Sequence, residues 1–236
     1  MIADIKAVFF DSGGTLTYPT RGTWWPKPRF GELLEAARFP PPDRRPAEAA
    51  LAEGSEYLAR HPAPDLESEL ATYAEFYRIV LGHLFGSAPA ELVGRLAEAA
   101  VYDLDQQPYP DVVPCVKRLS EAGVATGIVS NAGPSLQLRY RDMGIRDDFD
   151  PFVLSDVVGM RKPSAGIYHL ALDRSGYEAS EVAFVDDVPA NVEAAASVGM
   201  RGILIERDGG AVADLEDLLE LLGIGPQDRE SSARMA

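Results

Sequence analysis

Asp11 closes an apolar run, Ile5 to Phe10, and opens the segment Asp11-Ser12-Gly13-Gly14-Thr15-Leu16. The run is short, β-branched and aromatic, which predicts a buried strand. The two glycines let the backbone turn tightly and approach a ligand closely. Three later segments repeat the pattern of a strand that runs into polar residues. Val124 to Val129 leads into Ser130-Asn131. Phe152-Val153-Leu154 precedes a loop carrying Lys162-Pro163, and Val182 to Val185 leads into Asp186-Asp187. Strands of a parallel sheet end on one shared edge, where open α/β sheets place their chemistry. An acidic nucleophile, a hydroxyl and amide pair, a lysine and an acidic pair then converge on one crevice.

The elements needed to position these groups are legible around them. From Asp111 onward strands and helices alternate, and each helix stops at a glycine. The helices are expected over Pro114–Ala122, Ser135–Met143, Ser164–Ser175, Ala190–Val198 and Asp214–Leu222, with Gly123, Gly144, Gly176, Gly199 and Gly223 as stops. Ile203 to Ile205 is a fifth short strand. This grammar predicts an α/β fold with a doubly wound, Rossmann-like parallel sheet. Between Leu16 and Asp111 the alternation stops. Four amphipathic helices are expected there, over Arg29–Phe39, Pro46–Arg60, Leu66–Phe85 and Pro89–Leu104, and they suggest a helical bundle. From Gln227 the chain has almost no apolar content, so residues 226–236 are expected to be a disordered tail.

The four motifs, in this order and each after a strand, resemble those of the haloacid dehalogenase superfamily over roughly Ile5 to Ile224. Asp11-Ser12-Gly13-Gly14-Thr15-Leu16 resembles the first motif, Ser130-Asn131 the second and Lys162-Pro163 the third. Asp186-Asp187, with Asn191 and Gly199, resembles the fourth. The resemblance implies a core of residues 1–16 and 109–225, with residues 17–108 inserted as a helical cap domain that closes over the site. It also implies phosphoryl transfer, with Asp11 as nucleophile forming an aspartyl-phosphate. Mg²⁺ would bridge carboxylate and phosphate, held by Asp11, Asp186 and the backbone carbonyl of Gly13, with Asp187 acting indirectly. Ser130 and Asn131 offer a hydroxyl and an amide to phosphoryl oxygens, and Lys162 offers a cation to phosphate and nucleophile. Thr15 helps hold the loop and belongs with the phosphate-binding set. Asp186 and Asp187 also suit a helix cap before Pro189, a role compatible with metal binding.

One position departs from the phosphatase pattern. Gly13 stands where that branch usually has an Asp that protonates the leaving group and activates water, a contribution of about 10²–10⁴-fold. Substrates with good leaving groups, or a substitute from the cap, would compensate. Arg21, His61, Asp65 and His83 have suitable chemistry. Two other readings remain. In a haloacid dehalogenase Asp11 would displace halide with no metal, but that branch resembles a first motif with Tyr at position 13 and a last motif without the acidic pair. A non-catalytic member would bind a phosphorylated ligand or a protein partner. Trp24 and Trp25 either line the entrance between core and cap or pack against the cap.

Composition narrows the partners. Of 236 residues, 37 are acidic and 22 basic, a net charge of −15 that disfavours nucleic acid and anionic membranes. A local lysine and a metal can still draw an anionic small molecule into one pocket. Cys115 is the only cysteine, so no internal disulfide forms, and its helical neighbours Val112, Val116 and Leu119 predict inert packing. No signal-peptide pattern or membrane-length apolar run is present, which predicts a cytoplasmic protein. The resemblance implies a phosphorylated small molecule as substrate, and a monomer or homodimer is expected.

Overall fold

The computed structural model describes residues 4–225 except Pro26, Pro28 and Leu104. The tail expected to be disordered lies outside the described residues, as does Leu104 at the expected end of the fourth helix. Five parallel strands form the central sheet: β1 (Ala7–Phe10), β4 (Ala125–Ser130), β5 (Phe152–Leu154), β6 (Val182–Asp186) and β7 (Arg201–Leu204). Their order is β5-β4-β1-β6-β7, with β1 paired to β4 from Ala7↔Ala125 and to β6 from Ala7↔Val182.

β1 is buried at every residue, as a central parallel strand covered on both faces must be. Alternation sends Val8 and Phe10 to one face and Ala7 and Phe9 to the other. The first face packs on α5 (Val112–Glu121), α6 (Leu136–Asp142) and α10 (Leu215–Leu221). The second packs on α8 (Ala165–Ser175) and α9 (Pro189–Ser197). Cys115 is fully buried on the first face, and burial pushes its thiol up to about 12, so it is a packing residue. The five expected glycine stops all have positive φ. A short helix, α7 (Ser155–Val158), follows β5 and leads into the loop of Lys162.

Between β1 and the rest of the sheet lie α1 (Phe30–Ala36), α2 (Arg44–Arg60), α3 (Leu66–Phe85) and α4 (Ala90–Tyr102). They share their own apolar cluster, centred on Phe30, Leu33, Phe76, Tyr77, Val80 and Leu96. Asp65 caps α3: its Oδ1 accepts from Ser68 N at 2.8 Å. Extended structure in this stretch was not expected from the sequence. β2 (Thr17–Pro19) and β3 (Gln106–Pro108) form an antiparallel ribbon that joins the two ends of the inserted segment. Three-residue strands rich in Pro and Gln carry no detectable period, so only the pairing itself reveals them. Among the described residues no helix is long and apolar enough to cross a membrane.

Candidate active site

Asp11 extends the sheet edge, its N–H donating to Val185 O at 2.9 Å, and its side chain is nearly buried. Its Oδ1 accepts from Ser130 Oγ at 3.0 Å and from Lys162 Nζ at 2.6 Å. The same Lys162 ammonium donates to Asp186 Oδ2 at 2.6 Å. Lys162 therefore joins the ends of β1 and β6, although it arrives from a loop. Asn131 explains how that loop is held. Its Nδ2 donates to Lys162 O at 3.0 Å and its Oδ1 accepts from Lys162 N at 2.8 Å. Asn191, on α9, donates to both oxygens of Asp186 at 3.1 and 3.0 Å.

Asp186 does not cap α9. Val188 occupies the N-cap position, with Pro189 at the helix start, and Val188 N donates to Asp186 Oδ1 at 2.8 Å. Thr15 is fully buried and donates to Asp187 Oδ1 at 3.3 Å, so its hydroxyl ties the first loop to the fourth motif. Sequence reasoning missed two further supports. Arg207 donates to the Thr15 carbonyl, with its Nε at 3.1 Å, and Tyr140 Oη donates to Ser12 Oγ at 2.9 Å. Both come from elements remote in sequence, and no local motif announces them.

Asp11, Asp186 and Asp187 each bring a carboxylate oxygen within 4.8 Å of the others. Burial raises the Asp186 carboxyl, and Asp11 raises it further against the pull of Lys162. Asp187 is raised by burial and then by both other carboxylates. Asp11 and Asp186 share one buried ammonium, and the more exposed Asp187 adds a third carboxylate beside them, so negative charge is in surplus there. Such a cluster of hard oxygen donors fits a divalent cation of the Mg²⁺ type.

The two loop glycines have different spatial reasons. Gly14 has φ +86°, and a Cβ there would lie 2.4 Å from Asp187 Oδ2. The Asp187 carboxylate thus occupies the room that Gly14 leaves open. A Cβ at Gly13 would meet the Trp24 ring at 3.2 Å. Trp24 covers the position at which the phosphatase branch presents its acid.

A cavity of about 290 Å³ opens from Ser12, Gly13, Ser130 and Asn131 toward the helical insert. Trp24, Trp25 and Tyr73 line it, and Trp25 also packs at 4.8 Å on Phe76. Both tryptophans thus line the cavity, and Trp25 also packs on α3. The cavity also holds four charged residues that sequence reasoning passed over: Lys27, Glu69, Asp105 and Arg139. Arg139 Nε donates to Asp105 Oδ1 at 2.8 Å, and Lys27 pairs with the other Asp105 oxygen. Glu69, on α3, accepts from Ser135 N at 2.8 Å and from Ser135 Oγ at 2.7 Å. Burial raises the Glu69 carboxyl despite these bonds and the nearby Arg139. Burial alone would also raise Asp105, but Arg139 and Lys27 together hold it below the ordinary carboxylate range.

None of the candidates for the missing acid lines this cavity. Asp65 is spent on capping α3. His61 stacks on Tyr57, His83 pairs with Glu53, and Arg21 is exposed.

The family model of haloacid dehalogenase-like hydrolases matches residues 5–199, a span that holds all four motifs. The chain belongs to that family. Among its haloacid dehalogenase-like relatives is a glyceraldehyde 3-phosphate phosphatase of Methanopyrus kandleri, 27% identical over 90% of this chain and 88% of that protein. An (S)-2-haloacid dehalogenase of Pseudomonas putida is 29% identical over 59% of this chain and 60% of that protein. The crystal structure of a phosphatase of the family from Thermococcus onnurineus superposes with a TM-score of 0.63 at 27% identity, covering 93% of this chain and 98% of that one. The chain spans no more than three fifths of the length of several curated relatives it matches. Phosphatases and dehalogenases of the family thus both stand close to it.

Proposed function

We propose that this haloacid dehalogenase-like hydrolase is a Mg²⁺-dependent phosphatase that works through an aspartyl-phosphate on Asp11. The observation that carries the reading is the cluster of Asp11, Asp186 and Asp187 carboxylates, of which Asp11 and Asp186 share the Lys162 ammonium. A haloacid carries its own carboxylate, and a cluster of three acids of which two share one ammonium would repel it. A phosphate monoester brings the same charge problem, but its oxygens can share a cation with the cluster.

In this reading Ser130 and Lys162 hold one Asp11 oxygen, and the other attacks phosphorus in line with the leaving oxygen. Lys162 and the Ser130 hydroxyl then bear on the phosphoryl oxygens, and Asn131 acts by fixing the Lys162 backbone. Bound Mg²⁺, held by Asp11, Asp186 and the Gly13 carbonyl with Asp187 beside them, would neutralise charge on the transferring group. The P–O bond to the alcohol breaks as the Asp11–phosphorus bond forms. Water then releases phosphate and frees the Asp11 carboxylate. Gly13 offers no proton in either half, so leaving groups that depart as stable anions are favoured. The inserted helices act as the cap, and Glu69 joins them to the core beside the cavity.

Purified protein should hydrolyse 4-nitrophenyl phosphate only with Mg²⁺ and should leave chloroacetate intact. Asp11→Asn should keep the fold and lose all but a few per cent of the rate. Asp186→Ala should lose Mg²⁺ binding by calorimetry. Release of chloride from chloroacetate without added metal would replace this reading by the dehalogenase one.

A further inference from the structure

The first loop carries no acid at Gly13, and the Trp24 ring stands where one would begin. A leaving oxygen must then depart with its electron pair and without a proton. The negative charge that develops on it calls for a positive partner within the leaving-group cavity. That cavity, which opens from Gly13, has small polar walls such as Ser12, Gly133 and Ser135, and it holds two cationic side chains, Lys27 and Arg139.

The two cations differ in what they have left to give. Arg139 spends Nε on Asp105 Oδ1, Nη1 on Ser135 Oγ and Nη2 on Ala100 O. Lys27 reaches the other Asp105 oxygen, and among the described residues its ammonium has no other hydrogen-bond partner. An ammonium has three hydrogens, so two remain to be given. The Lys27 side chain is 13% exposed, and its Nζ lies 5.3 Å from the centre of the Trp25 ring, another wall of the cavity. Asp105 is one carboxylate between two cations, so this group carries one positive charge in surplus. Glu69 does not pair with it, since both Glu69 oxygens accept from Ser135. Burial pulls the Lys27 ammonium below its ordinary range in spite of Asp105, as it does for a cation short of counter-charge.

We propose that the leaving group is a small carboxylate, so that the substrate is an acyl phosphate, and that Lys27 determines this specificity by donating to the departing carboxylate. One surplus positive charge matches a monoanion. A phosphoanhydride releases a phosphate, which carries more than one negative charge, and an alkyl ester releases an alkoxide that Gly13 cannot protonate. One Asp11 oxygen bonds to phosphorus as the P–O bond to the acyl oxygen breaks, and the electron pair stays on that oxygen. The carboxylate leaves unprotonated. Water then attacks phosphorus, frees the Asp11 carboxylate and yields inorganic phosphate, its surplus proton passing to solvent. The cavity of about 290 Å³ limits the acyl group to a few carbons. The proposal rests on the phosphatase reading of the adjoining site.

The test measures kcat/KM of the protein, with Mg²⁺, for acetyl phosphate, 4-nitrophenyl phosphate and pyrophosphate. Acetyl phosphate should be the best of the three. Lys27→Met removes the charge and keeps the stem. It should lower the acetyl phosphate value about tenfold or more beyond its effect on 4-nitrophenyl phosphate, whose leaving charge is spread over a ring. Acetate should inhibit 4-nitrophenyl phosphate hydrolysis more strongly than neutral acetamide does, and that difference should vanish in Lys27→Met. Lys27→Gln serves if the Met variant melts early. Equal losses on both substrates overturn the proposal, since a lysine that only holds the fold would give them, and so does the absence of any loss. A preference for pyrophosphate overturns it in favour of a phosphoanhydride. Turnover of 4-nitrophenyl phosphate without turnover of acetyl phosphate sinks this proposal and leaves the phosphatase reading standing. If none of the three is hydrolysed, both fall together.

Discussion

Gly13 and Trp24 form a pair: the glycine has no side chain, and the indole fills the space where one would begin, 3.2 Å from a Cβ. Restoring an acid by Gly13→Asp therefore crowds the ring before it can help a substrate. Gly13→Asp alone should give no gain in alkyl phosphate hydrolysis. Combined with Trp24→Ala it should exceed the parent protein by about tenfold or more, a non-additive result that steady-state rates on a leaving-group series would display. The motif residues themselves were legible from sequence, because Asp11, Ser130 and Asp186 lie at strand ends that composition marks clearly. Lys162 was legible only by order along the chain, and its place between two carboxylates required the fold. The use of Asn131 to hold the Lys162 backbone was not legible, since an amide after a strand serves equally as a phosphate donor. Lys27, Glu69, Asp105 and Arg139 gave no signal at all. Isolated charged residues on helices and linkers read as solvated surface until tertiary packing buries them.

Arg139 on α6 does the joining between core and insert. It donates to Asp105 beside β3, to Ser135 Oγ and, through Nη2 at 2.7 Å, to Ala100 O near the end of α4. The helices it joins were recognised from apolar spacing, with α3 matching its expected bounds, while the ribbon of β2 and β3 escaped because its strands are too short to show alternation. The polar tie has a defined pH signature. The Asp105 carboxyl lies below its unfolded value near ~3.9, so its contribution to stability is present above that value and is lost as pH falls through the lower folded one. Asp105→Asn should cost about 3–5 kcal/mol at pH 7, because Lys27 and Arg139 are left buried without their carboxylate. The variant's stability should also fall less than the wild type's between pH 5 and 3. Urea unfolding at pH 7, 5 and 3 checks both statements.

The molecule carries a net charge of −15 and is proposed to take an anionic substrate, so long-range repulsion opposes every encounter. Raising ionic strength from about 10 to 150 mM shortens the screening length from about 30 to 8 Å. At fixed free Mg²⁺, kcat/KM for phosphate esters should rise over that range, whereas kcat should change little. A fall in kcat/KM would mean that the local field of Lys162 and the metal dominates the approach. The sheet order has a consequence for how the chain reaches its fold. β1 sits at the middle of the sheet and pairs with strands that begin at Ala125 and Val182, so a growing chain holds its first strand without any partner until β4 follows, more than a hundred residues later, and without its second until β6. The contacts of α2 with α3 and of α3 with α4 are short in sequence by comparison. The inserted helices should therefore consolidate first, and the catalytic edge should assemble last, around an already folded insert. Pulse-labelled hydrogen exchange during refolding should protect the amides of Leu66–Phe85 before those of Ala7–Phe10.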